Sequence, residues 1–250
     1  MGGDIVFDEK YYLDLVFQDP INYKGLLIYQ PSFEDIKKYG IENYNQVFLV
    51  YRLTLDCFDL SENDDKNLFE DILLNDKFLL SCLSESLYLL TNASVIYLAE
   101  DMKSLKLKFN SKSENQEDQY FIIDANNFDD ICDIILKINA SQKIEIEKPP
   151  ENMSPRQRDV WEKLQEGRRK DKEKNELRLY DVLNVCEFCG DYRIPIDELK
   201  KWSLWRIMNC YKIRIGIKSF DDNLQIALVN GDNKLISDKQ HWYQQLMIRE

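Results

Sequence analysis

The chain has 250 residues, 44% of them hydrophobic and 12% aromatic, which excludes a disordered polymer and allows one large core or two small ones. No apolar run approaches the roughly eighteen residues of a membrane span, and Met1-Gly2-Gly3-Asp4 lacks the basic-then-apolar pattern of a secretory signal. Net charge is −12, unevenly placed: residues 1–150 balance at −14 and residues 151–250 at +2, so the first part repels nucleic acid.

In chain order, residues 14–30 predict two strands around a turn at Pro20 and Asn22. Ser32, with Asp35 three residues on, predicts a helix start, and Gly40 supplies its left-handed stop. A second helix is expected over 42–55. Residues 61–90 read as one or two helices capped near Ser61 or Asn63, with Leu68, Ile72, Leu79, Leu83 and Leu87 near helical spacing. Strands are expected over 94–101, 104–111 and 119–126. Asn127 then caps a helix with Ile131, Ile134, Ile135 and Ile138 on one face. Residues 143–148 alternate like a short strand and run into Pro149-Pro150, which stop regular structure.

Those prolines and the change in charge place the boundaries. An acidic α+β domain is expected over 1–148, a linker helix over 149–178 and a helical C-terminal domain over 179–250, so the fold class is α+β. Ser154, Pro155 and Gln157 form a helix start that opens a run reaching about 185, and the mixed charges of 167–174 mark a solvated helix or hinge. Leu177, Tyr180, Leu183, Val185 and Phe188 lie near one side of an amphipathic stretch ended by Gly190. Ile196 and Leu199 begin another helical pattern. Ser203 caps the last helix, with a kink expected near Gly216, and a tail follows with His241, Trp242 and Tyr243.

Cys186 and Cys189 have the spacing of half a zinc knuckle or of a redox dithiol. Structural zinc takes four ligands, usually as two pairs, and only Cys210 and His241 remain downstream, at no delivery spacing. A reactive thiol pair wants a helix N-terminus, whereas this pair lies at a helix C-terminus, where the dipole disfavours a thiolate. At i and i+3 both can pack as small hydrophobes, and packing is the reading preferred over a zinc or redox module. The other four cysteines stand singly, as reduced thiols in a cytoplasm do. His241 is the single histidine, and no nucleophile elbow, Walker loop, zinc-protease or dinucleotide motif occurs. The paired acids Asp64-Asp65, Asp129-Asp130 and Asp221-Asp222 fall at expected helix starts or loops. A non-enzymatic protein without cofactor or metal is expected.

Residues 26–48, LLIYQPSFEDIKKYGIENYNQVF, carry a strand, a Gln-Pro turn and an Asp-Ile helix start with a following Gly and Tyr. Together with Asn152 to Lys170 and the Trp202-to-Ile207 helix start, followed by Ala227, Gly231 and Trp242, they resemble the tail assembly chaperones of tailed bacteriophages infecting Gram-positive (Firmicutes) bacteria. The cysteine pair, the two Trp of Trp-Ser-Leu-Trp and residues 214–223 depart from that pattern. The resemblance implies a protein of the host cell cytoplasm that binds the phage tape-measure protein, recruits major tail-tube subunits and then leaves. The alternative is a virion structural protein, a tail or connector adaptor retained in the particle. Self-association is compatible with either role; nucleic acid and membrane are not expected partners.

Leu204, Ile207, Met208 and Tyr211 fall at i, i+3, i+4 and i+7, and Trp202 and Trp205 flank the start of this stripe. The partner-binding residues expected are Trp202, Trp205, Met208, Tyr211 and Trp242, because Trp and Tyr carry much of the energy of interfaces. Leu204 and Ile207 are expected in the core. Trp205, one residue off the stripe, is expected as an exposed anchor.

Overall fold

The computed structural model describes residues 8–60, 66–109, 119–150, 152–174, 177–190 and 192–230. Helix α1 (Glu9–Phe17) starts at Asp8, whose carboxylate accepts the Tyr11 amide at 2.8 Å, and ends at Gln18, whose φ of 63° is left-handed. A strand was expected from residue 14. The helix wins because Tyr11 and Leu15, four apart, bury on one face. The hairpin is shorter: β1 (Ile21–Tyr23) pairs antiparallel with β2 (Leu26–Ile28), Ile21 opposite Ile28. It turns at Lys24-Gly25 instead of Pro20, with φ of 48° and 95°, and Asn22 Oδ1 accepts the Gly25 amide at 2.9 Å.

Helix α2 (Phe33–Tyr39) has the expected capping box: the Asp35 amide donates to Ser32 Oγ and the Ser32 amide to Asp35 Oδ2, at 3.2 and 3.3 Å. Gly40, at φ 101°, separates it from α3 (Ile41–Phe48), which yields to short 3-10 turns at Leu49–Tyr51 and Leu55–Phe58 instead of continuing to 55. A π-helical turn (Leu68–Leu73) is capped by Asn67, and α4 (Lys77–Thr91) by Asp76. Ser61 and Asn63, the caps expected there, lie outside the described residues.

The three expected strands form one antiparallel sheet, β3 (Val95–Leu98), β4 (Leu105–Phe109) and β5 (Gln119–Ile123), in that order. Leu105, Leu107 and Ile123 face the core, while Val95, Tyr97, Tyr120 and Ile122 stay exposed on the other side. Helix α5 (Phe128–Ile138) buries its four isoleucines as the spacing required. Asn127 does not cap it. Its side-chain Nδ2 donates to the Ile122 carbonyl at 2.9 Å and its Oδ1 accepts the Asp124 backbone amide at 3.0 Å, tying helix to strand. Residues 143–148 form no strand; the Ile144 amide bonds the Arg52 carbonyl at 2.7 Å without a ladder.

Beyond the prolines, Ser154 and Gln157 make a second capping box, at 2.8 and 3.4 Å, for α6 (Pro155–Lys174). This helix is polar and almost wholly solvated, and it stops well short of 185; α7 (Leu179–Phe188) is a separate helix. Helix α8 (Ile196–Leu199) is one turn, and α9 (Leu204–Asn230) runs unbroken through Gly216 for 27 residues, about 40 Å. The protein is thus α+β, and among the described residues no helix is long and apolar enough to cross a membrane.

Two apolar cores result. The larger joins α1, the hairpin, α3, α4, the sheet and α5; the smaller joins Val182, Cys186, Leu199 and Ile207. Each takes a side chain across the expected boundary: Trp205 enters the first core and Phe33 the second. The backbone is joined there too. Phe33 and Glu34 donate their amides to the carbonyls of Trp202 and Lys200, both at 2.8 Å, which satisfies two donors that the start of α2 would otherwise leave open.

A candidate partner-binding cleft between the first and last helices

The side-chain carbonyl of Gln18, just past α1, accepts the amide of Ser203, just before α9. This bond docks the end of one helix beside the start of the other. Between them lies a cleft of about 400 Å³, walled by Val16 of α1 and by Trp202, Trp205, Ile213 and Ile217, with Arg206 and Arg214 at its polar edge. Arg206 stacks over Trp202 at 4.2 Å, a cation–π contact that holds both side chains. Arg214 donates from Nη2 to the Tyr192 carbonyl at 2.8 Å, while its Nη1 is buried without a hydrogen-bond partner. Gly190, at φ 109°, lies against that guanidinium: a Cβ there would stand 3.4 Å from Nη1. The glycine that ends α7 therefore also makes room for Arg214.

The expected binding residues divide. Trp205 is not an exposed anchor; it is 7% exposed and packs in the first core. Residues two apart on a helix point about 200° apart, so Trp205 and Ile207 serve opposite cores and clamp α9 between them. Ile207 is buried as expected, and Leu204 is half-buried. Met208 and Tyr211 are half-buried against the second core, so their stripe faces α7 within the molecule. Met208 also borders a separate cavity of about 410 Å³, beside Arg52, Lys137 and Lys212. Trp202 is half-buried and remains a wall of the cleft. Trp242, with His241, lies outside the described residues.

The cysteine pair also divides. Cys186 is buried, but Cys189 is exposed, because α7 ends at Phe188 and Cys189 is already extended, at φ −88° and ψ 130°. The i, i+3 packing expected of a helical pair is lost with that turn. Cys186 donates its thiol to the Ile207 carbonyl at 3.4 Å and also neighbours Cys210 of α9. The Cys186 side chain beside it, then the charges of Arg214 and Arg206, hold Cys210 below the usual thiol range against the effect of burial; the same neighbour and burial push Cys186 up. Among the described residues, no group of three or more His, Cys, Asp or Glu could hold a metal ion.

Sequence reasoning missed Val16, because α1 was read as strand. It also missed a second stripe on α9, formed by Arg206, Cys210, Ile213, Arg214 and Ile217. Their spacing of four, three, one and three is helical, and the alternation of cationic and apolar side chains hid it. Comparison of the chain with protein-family models, with curated proteins and with solved structures finds no match.

Proposed function

We propose that this chain is a non-enzymatic chaperone that holds a partner polypeptide in the α1–α9 cleft, and that it serves phage tail assembly. In that role it binds the tape-measure protein and recruits tail-tube subunits in the host cell cytoplasm. The cleft supports this reading. Apolar walls that flank a guanidinium pair suit an amphipathic client segment whose polar face is acidic. Leu13, Val16 and Phe17, at i, i+3 and i+4, extend the apolar surface along α1, and Phe17 is 67% exposed.

Val16→Glu tests the cleft. Val16 is 41% exposed, so the change leaves the core intact while placing a carboxylate that competes for Arg206 and Arg214. Co-purification with a tape-measure fragment from the same genome is expected to fall about tenfold, the order of one lost interface anchor, with little change in melting temperature. Undiminished capture contradicts the cleft as the client site. Mass spectrometry of purified particles is expected to find no copies of the chain. A fixed copy number in the particle would establish a retained adaptor instead.

A further inference from the structure

We propose that Cys210 is a reactive, peroxide-sensitive thiol and that Cys186 is its resolving partner, so that oxidation joins α7 to α9 by a disulfide. The inference is independent of the chaperone reading. It rests on how three groups converge at the floor of the cleft. Cys210 lines the 400 Å³ cavity and is half-buried, so a small solute reaches its sulfur. Arg214 lies beside it with a buried Nη1 that lacks an acceptor, and Arg206 adds a second positive charge. Behind it, Cys186 is wholly buried and its thiol can turn from the Ile207 carbonyl toward Cys210. A Cys210 thiolate therefore shares the cleft lining with the Arg206 and Arg214 charges, three residues along α9 from the Ile207 carbonyl that the Cys186 thiol meets. Thiolates flanked by guanidinium groups are the ones that react.

With hydrogen peroxide as oxidant, the Cys210 thiolate attacks one peroxide oxygen, the O–O bond breaks and hydroxide leaves. The sulfenic acid on Cys210 is then attacked by the Cys186 sulfur. The S–O bond breaks, the S–S bond forms, and the departing hydroxide takes the Cys186 proton as water. The two thiols together lose two electrons, and the peroxide is reduced to two waters. Cys189, exposed beyond the end of α7, stands outside this arrangement although it is the more accessible sulfur.

The full reduced chain, treated with hydrogen peroxide and digested without reductant, is expected to yield the Cys186 peptide linked to the Cys210 peptide, lighter by two hydrogens. A linkage through Cys189, or oxidation confined to Cys189 or Cys57, overturns the proposal. Because Cys186 is a core side chain and its replacement can unfold the second core, a second measurement uses Arg214→Gln. Carbamidomethylation near neutral pH is expected to modify Cys210 faster than Cys189 in the wild type. Arg214→Gln should slow Cys210 about tenfold by removing the adjacent charge. Faster labelling of Cys189 in the wild type, or an unchanged Cys210 rate in the variant, contradicts it.

Discussion

Trp205→Ala is expected to be among the most damaging single substitutions in the chain, and its cost follows from where the indole sits. A buried Trp removes about 150–250 Å² from water, which at roughly 25 cal/mol/Å² gives an upper bound near 4–6 kcal/mol. Truncation of large aromatic side chains in cores costs about 3–5 kcal/mol, cavity included. Trp205 is 7% exposed and is the side chain by which α9 enters the first core, two residues before Ile207 enters the second. A loss of about 4 kcal/mol is expected, or roughly 8–16 °C in melting temperature for a chain of this size. Urea unfolding followed by circular dichroism measures it, with Trp205→Phe retaining most of the stability. A loss below about 1 kcal/mol would refute the placement of the indole in the core and restore it as a surface anchor.

Alkaline stability follows from the buried tyrosines. Burial holds the Tyr11, Tyr44 and Tyr51 hydroxyls well above the ordinary phenol range. Their neutral forms contribute fully below about pH 10, and above it the unfolded chain ionises first, so stability falls by up to about 1.4 kcal/mol per pH unit for each. Phenolate absorbance from these three side chains should therefore rise only in a phase coincident with unfolding; their ionisation with the fold intact contradicts this. Limited trypsin digestion is expected to cut first at the Lys and Arg residues of α6, whose ties to the preceding segment include those of Arg168 and Gln165 to Glu147, at 2.9 and 2.5 Å. First cuts within 8–60 would contradict the assignment of α6 as the weakest element.

The elements best read from sequence were those with both a local signal and an unambiguous period. Ser32-Asp35 and Ser154-Gln157 each supply a reciprocal cap that needs no tertiary partner, and the isoleucines of α5 sit on one face. Misreadings arose where tertiary contacts decide. Residues 14–17 are as apolar as a strand, and only the burial of Tyr11 with Leu15 makes them helical. Asn127 has the residue type of a cap but spends its amide on the end of β5. The cleft was largely hidden because Val16 and Ile217 lie some two hundred residues apart and meet through Gln18 and Ser203, a bond that no periodicity announces. Of the expected binding residues that are described, Trp202 and Trp205 line the cleft, Trp205 from within the first core.

The central claim is that the α1–α9 cleft takes the client, and site-specific photocrosslinking tests it most directly. A benzophenone amino acid at Phe17, beside the cleft, is expected to crosslink to a co-expressed tape-measure fragment. The same group at Tyr120, 54% exposed on the outer face of the β3–β5 sheet, is expected not to. Crosslinking from Tyr120 with none from Phe17 would contradict the claim and move the client site to the sheet.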